Sequence, residues 1–211
     1  MQDLNKIWLF RMIAIDNLET DLTNGLYSKM NAPIDPNRIA IGNAEIISER
    51  DRRIVSCYPG TVVNNYVPFY FSVRTPMLLN IHSGHLIKKI HQSKIVYLCI
   101  PLLDVANDNF QWCFTDGNAA KHITSYYTNL KDIDSIDWHS ISTTDFKHDN
   151  ADGDEDRIRK KHSEFLVKDY VPGNLIKGIV VYNESAKTNV KAITQKLGLE
   201  IEPRIIEGFY F

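Results

Sequence analysis

The sequence predicts an α+β domain, and three stretches carry that prediction. Tyr66-Val67-Pro68-Phe69-Tyr70-Phe71 is aromatic and β-branched, the composition of a strand. Residues 176–182 form a second such run, and residues 186–197 alternate apolar and polar side chains at helical spacing. Strands are therefore expected in both halves of the chain. With 211 residues and no Gly/Ser linker or repeat, one domain spanning residues 1–211 is expected.

The remaining elements follow in order. Residues 7–15 are mostly apolar and read as a strand. Asp16-Asn17-Leu18-Glu19 supplies cap oxygens and a first-turn acid, so a helix is predicted to start there and to end at Asn24-Gly25. Residues 31–42, with two prolines, read as loop. Residues 44–53 have helical composition, and the basic group Arg50, Arg52 and Arg53 at their end suits a helix dipole. Pro68 argues that its strand is at an edge or is only starting. Thr75-Pro76 marks a capped helix start. Residues 95–103 and 112–115 read as strands, and residues 124–136 as partly helical. Residues 145–156 are acidic and read as a solvated, mobile loop, since no register places calcium ligands around Gly153. The basic run Arg157, Arg159, Lys160 and Lys161 follows, then a strand or helix edge at residues 165–170 and a terminal strand at residues 204–211.

Composition narrows the function classes. Hydrophobic residues make up 44% and charged residues 24%, and the formal net charge is −2, so nucleic-acid binding requires a local basic patch. Cys57, Cys99 and Cys113 lack CxxC spacing and read as reduced thiols. Asp3, Lys6 and Arg11 interrupt the apolar start, against a signal peptide, and no apolar run approaches the ~20 residues of a membrane helix. A cytoplasmic protein without membrane contact is expected.

No phosphate-binding glycine loop, dinucleotide fingerprint, HExxH or GxSxG motif is present. His82 and His85 have a metal-like spacing but no third ligand, so no metal is predicted. His162 and Glu164 stand two apart, which in a strand puts them on one face, as a catalytic pair or as a polar edge.

Longer motifs add a resemblance. Tyr66-Val67-Pro68-Phe69-Tyr70-Phe71-Ser72-Val73-Arg74-Thr75-Pro76-Met77-Leu78 is followed in order by Ile81-His82-Ser83-Gly84, Phe114-Thr115-Asp116, Tyr126-Tyr127-Thr128, Ile136-Asp137-Trp138 and Ser163-Glu164-Phe165-Leu166-Val167. Ile15-Asp16-Asn17-Leu18 and Ile41-Gly42-Asn43-Ala44-Glu45-Ile46 precede them. Together these blocks resemble the DarT family, the toxin half of the DarT–DarG toxin–antitoxin system, over nearly the whole chain.

The resemblance implies an ADP-ribosyltransferase fold, a split and mostly antiparallel sheet around an NAD cleft. It implies NAD as co-substrate, without metal, and transfer of ADP-ribose to a base of single-stranded DNA, thymine in the better-known branch and guanine in another. RNA or protein as acceptor, or a catalytically silent nucleic-acid-binding module, are the alternatives. A DarG-like macrodomain antitoxin and a monomeric enzyme are also implied. Glu164 maps onto the catalytic glutamate, which stabilises an oxocarbenium-like ribose. Arg50 maps onto the key arginine, as a grip on the NAD phosphates, with Arg53 as fallback. Arg11 and Ile13 stand where the family often carries His and Thr, so Arg11 is either a cofactor contact or a structural ion-pair partner. Asn17, Tyr70 and Phe71 complete the implied NAD contacts. Residues 116–163 are the implied substrate-recognition segment. Tyr126 and Tyr127 are implied to stack bases, with Arg74, Met77, Lys121 and His122 as further DNA contacts.

Overall fold

The computed structural model describes residues 2–147 and 149–211. The apolar start forms β1 (Trp8–Ala14), and α1 (Leu18–Asn24) follows and ends at Gly25, whose φ of 81° needs a residue without Cβ. Asn17 sits at the helix start but does not cap it; its side chain is used elsewhere. Next come β2 (Leu26–Tyr27), the loop through residues 31–42, and α2 (Ala44–Arg50), whose first turn is capped by Asn43 Oδ1. The chain continues through β3 (Tyr66–Tyr70), α3 (Pro76–Ser83), β4 (Ile95–Pro101), α4 (Leu102–Ala106), β5 (Trp112–Thr115), β6 (Tyr126–Tyr127), α5 (Trp138–Ser142) and α6 (Arg157–Lys161). It closes with β7 (Glu164–Lys168), β8 (Tyr170–Val171), β9 (Gly178–Val181), α7 (Glu184–Lys196) and β10 (Arg204–Ile205).

One eight-stranded sheet has the order β10-β9-β4-β1-β3-β7-β5-β6, and β2 pairs with β8 apart from it. Among the described residues only the β9–β10 pair is parallel, bridged by α7, a crossover of the kind a parallel pair needs. The sheet is two half-sheets. β1 pairs with β4 along its length, from Trp8↔Pro101 to Ala14↔Ile95, and β3 with β7 from Tyr66↔Lys168 to Tyr70↔Glu164. Between the halves, the β1–β3 ladder among the described residues is the single pair Phe10↔Tyr70.

That split explains Pro68. The expectation of an edge or a strand start fails, because β3 is central in the sheet order and Pro68 is in its middle. The proline is tolerated because the β1–β3 ladder has already opened there, and Arg11 Nη1 donates to the Pro68 carbonyl at 2.9 Å instead of a neighbouring strand. One face of the sheet buries Leu9, Ile13, Val67, Phe69 and Phe165 in the main core; the other carries Met12, Tyr97, Cys99 and Val180 with Phe10 and Tyr70.

Other expectations change or gain detail. Residues 204–211 form only the short β10; beyond it Tyr210 is buried and aims its hydroxyl at the Ile95 and Val180 carbonyls, 3.0 Å each. Residues 124–136 are helical in part as expected, as a 3-10 helix over Leu130–Ser135, and also hold β6. The described residues of the acidic segment 145–156 are loop, and three of its acids pair with the basic run: Asp152 with Arg157, Asp156 with Arg159 and Asp154 with Lys160. His162 is not in a strand; it ends α6, so it and Glu164 do not share a strand face.

Candidate active site

Glu164 opens β7 where the half-sheets meet, directly opposite Tyr70, and is 1% exposed. Its amide donates to Thr115 Oγ1 on β5 at 3.0 Å, and that hydroxyl is 2.7 Å from the Gly117 carbonyl. Three donors hold its carboxylate. Arg50 Nη1 reaches Oε1 at 3.0 Å and Nη2 reaches Oε2 at 2.9 Å, while the Ala119 amide donates to Oε1 at 3.0 Å. The bidentate fork is the strongest geometry available to a carboxylate. Burial alone would lower the Arg50 pKa; the Glu164 charge and hydrogen bonds outweigh it and raise the pKa.

Arg50 comes from the last turn of α2, a helix tied down where Asn64 Nδ2 reaches the Ile47 carbonyl at 2.8 Å and Asp51 Oδ1 at 2.6 Å. Both of its terminal nitrogens are on Glu164, one N–H from each. Arg53 points elsewhere: Nη1 lies 2.9 Å from His122 Nδ1, and Nη2 donates to the His122 carbonyl at 3.1 Å. Glu49, Arg52, Arg53, Ile54, Lys121 and His122 surround a cleft beside this pair.

Arg11 lies on β1, across the split from Glu164. Burial pulls its pKa down to about 10, against the favourable field of Asp21 and with the adverse fields of Arg38 and Arg50. Its Nε is buried without a hydrogen-bond partner. Arg38 forks onto Asp21 at 2.7 and 3.1 Å, and Asn17 grips the Ile39 backbone through both side-chain atoms, at 2.8 and 3.0 Å. These contacts fasten the 31–42 loop to α1. Among the described residues Arg11 forms no salt bridge.

The Tyr70 hydroxyl donates to Met77 Sδ at 3.4 Å, and burial, reinforced by Glu164, raises its pKa. The His162 ring is 6.1 Å from that of Tyr70; its Nδ1 donates to the Ile158 carbonyl at 2.9 Å, and burial lowers its pKa.

The structure thus brings together Glu164, Arg50, Arg11, Tyr70 and Met77. Phe71 and Ile13 are not in this group: both lie in the main core, Phe71 edge-on to Phe114, Trp138 and Phe165. Asn17 positions a loop. Tyr127 stacks on Phe114, with ring centroids 5.2 Å apart. Tyr126 aims its hydroxyl at the Ala119 carbonyl, 2.6 Å away, and burial pushes its pKa up to about 12. Lys121 and His122 are exposed, and Arg74 lies over the Phe211 ring at 4.8 Å. His82 stacks on Phe211, and among the described residues no group of three or more His, Cys, Asp or Glu side chains is placed to hold a metal. The residues missed from sequence are Thr115, Ala119, Asp21 and Arg38. Only the Asp116-Gly117 turn signal hinted that the chain there bends back toward β7.

A family model described as the single-stranded-DNA thymidine ADP-ribosyltransferase DarT matches residues 10–211. A DNA ADP-ribosyl transferase of Escherichia coli O127:H6 is 33% identical over 207 residues, covering 98% of this chain and 94% of that protein. The Thermus sp. 2.9 DarT structure in complex with ADP-ribosylated single-stranded DNA superposes with a TM-score of 0.88 at 28% identity, covering 97% of this chain and 96% of the other. The same enzyme in complex with NAD+ gives a TM-score of 0.84 at 27% identity, covering 97% and 98%. A split sheet with a buried, arginine-held glutamate at its junction and a family match over almost its full length agree: this chain belongs to the DarT family of DNA ADP-ribosyltransferases.

Proposed function

We propose that this chain transfers ADP-ribose from NAD to a thymine of single-stranded DNA, with Glu164 as its catalytic carboxylate. The observation that carries the reading is the buried Glu164 at the sheet junction, held in one orientation by Arg50 and the Ala119 amide. Support for the substrates comes from the Thermus relatives, whose structures hold NAD+ in one case and ADP-ribosylated DNA in another.

The split suits a dinucleotide diphosphate. Arg38 is matched by Asp21 and Arg50 by Glu164, which leaves the positive charge of Arg11 uncompensated, with its buried Nε unpartnered. A diphosphate would supply both missing interactions. The co-substrate supplies a glycosidic bond whose nicotinamide leaves with the bonding pair, while C1′ bonds to a ring nitrogen of the base and that nitrogen loses its proton. Glu164 stabilises the positive charge that develops on the ribose and serves as the acceptor of that proton. Arg50 keeps the carboxylate aimed. Tyr70, protonated at neutral pH, closes the site opposite Glu164.

The partner and cellular context follow the same family reading: a monomeric single domain in the cytoplasm, countered by a DarG-like macrodomain antitoxin. Among the described residues no helix is long and apolar enough to cross a membrane. The test is to incubate the chain with NAD and single-stranded oligonucleotides that differ in one base. A thymine-dependent gain of one ADP-ribosyl mass is expected. Modification of RNA or protein alone, or no turnover of NAD, would reject the reading.

A further inference from the structure

Arg159, on α6, is bound on every side. Its Nε and Nη2 grip Asp156, at 2.8 Å to Oδ1 and 2.6 Å to Oδ2. Its Nη1 donates to Asp116 Oδ1 at 3.0 Å and to Thr124 Oγ1 at 3.2 Å, and its carbonyl accepts from the Asn118 amide at 3.0 Å. The guanidinium lies flat against Gly117, where any Cβ would collide with Nη1 and Cζ. The neighbouring loop is tied in turn: Thr124 Oγ1 holds the Asn118 carbonyl at 2.7 Å, and Tyr126 holds that of Ala119. This loop leads from Glu164's hydrogen-bond donor, Ala119, to Lys121 and His122 at the cleft rim.

We propose that Arg159 is a positioning residue for the transfer: seated against Gly117, it fixes the loop whose Ala119 amide orients Glu164 and whose Lys121 and His122 meet the acceptor strand. The inference rests on the function proposed above and adds to it a determinant of the acceptor. When the clamp is loose, the carboxylate and the acceptor side lose their common frame. Water then takes the place of the base: it bonds to C1′, nicotinamide leaves with the bonding pair, one proton is released, and free ADP-ribose results. The clamp therefore sets the partition between DNA and water more than it sets NAD binding.

Gly117→Ala is the sharpest probe. The glycine does not occupy a left-handed conformation, so alanine is tolerated by the backbone, and the group that must yield is the far end of a flexible arginine. The experiment compares wild type, Gly117→Ala, Arg159→Ala and the double variant. It reads oligonucleotide-bound against free ADP-ribose per nicotinamide released, together with KM for NAD, melting temperature and exchange of the Ala119 amide. Each single variant is expected to lower the bound-to-free ratio by about tenfold or more, as small misplacements of reacting groups do, with KM for NAD unchanged and faster Ala119 exchange. The double variant is expected to be no worse than Arg159→Ala, because the methyl has nothing left to displace. A partition like that of wild type in folded single variants, or effects that multiply in the double, would overturn the proposal. A wild type that consumes NAD but never modifies DNA would instead overturn the proposed function, a separate result.

Discussion

The two sides of the split are built to opposite rules. On the β7 side, the Glu164 carboxylate receives Arg50 through both oxygens and Ala119 through one, and its amide is bonded to Thr115. On the β1 side, the ladder to β3 is reduced to Phe10↔Tyr70, and Arg11 fills the gap with a single bond to Pro68 and an unpartnered Nε. A carboxylate fixed before the substrate arrives costs no reorganisation during the reaction. A guanidinium buried without an anion is held at a cost that a bound diphosphate would relieve. On the function proposed here, the contrast separates a chemical side from a binding side.

The largest effect that would break this contrast is at Glu164. Glu164→Gln keeps the shape and removes the charge, and transfer is expected to fall about 1000-fold, the upper range for losing one electrostatic stabiliser, in a single-turnover assay. Arg50→Lys replaces the fork by a point charge and is expected to slow transfer by about 100-fold, with little change in KM for NAD. Stability separates the two sides next. Arg50→Met strands a buried carboxylate and should cost about 3–5 kcal/mol in denaturant unfolding, whereas Arg11→Met removes an unfavourably buried charge and should cost markedly less. The same Arg11→Met should weaken NAD binding by about tenfold or more in calorimetry, the value of one charge-assisted hydrogen bond. A smaller effect comes from His162. Its pKa is lowered in the fold, so below about pH 6.5 the unfolded chain binds more protons, and stability falls with pH there. His162→Phe should flatten that slope in melts between pH 7 and pH 5.

Much of the fold was legible from local pattern. β1, α1 with its Gly25 end, α3 with its Thr75 cap, β9 and α7 all follow from periodicity and capping residues. Where tertiary structure decided, sequence misled. Pro68 looked like an edge because proline lacks an amide, but a split in the sheet is an edge that no single strand can announce. The acids at residues 145–156 keep much of their exposure, but their pairing with Arg157, Arg159 and Lys160 was not foreseen because the two runs were read separately. For the site, spacing gave Glu164 only a shared face with His162, which the end of α6 removes; the family motif identified it. Arg50 lies 114 residues away in sequence, and Ala119 contributes a backbone amide, so neither contact leaves a mark in local composition.

The most direct test is the mass of a thymine-containing single-stranded oligonucleotide after incubation with NAD and either wild type or Glu164→Gln. The structure predicts one added ADP-ribosyl group with wild type and none with a folded Glu164→Gln. An unmodified oligonucleotide with wild type, or equal modification by both, would contradict it.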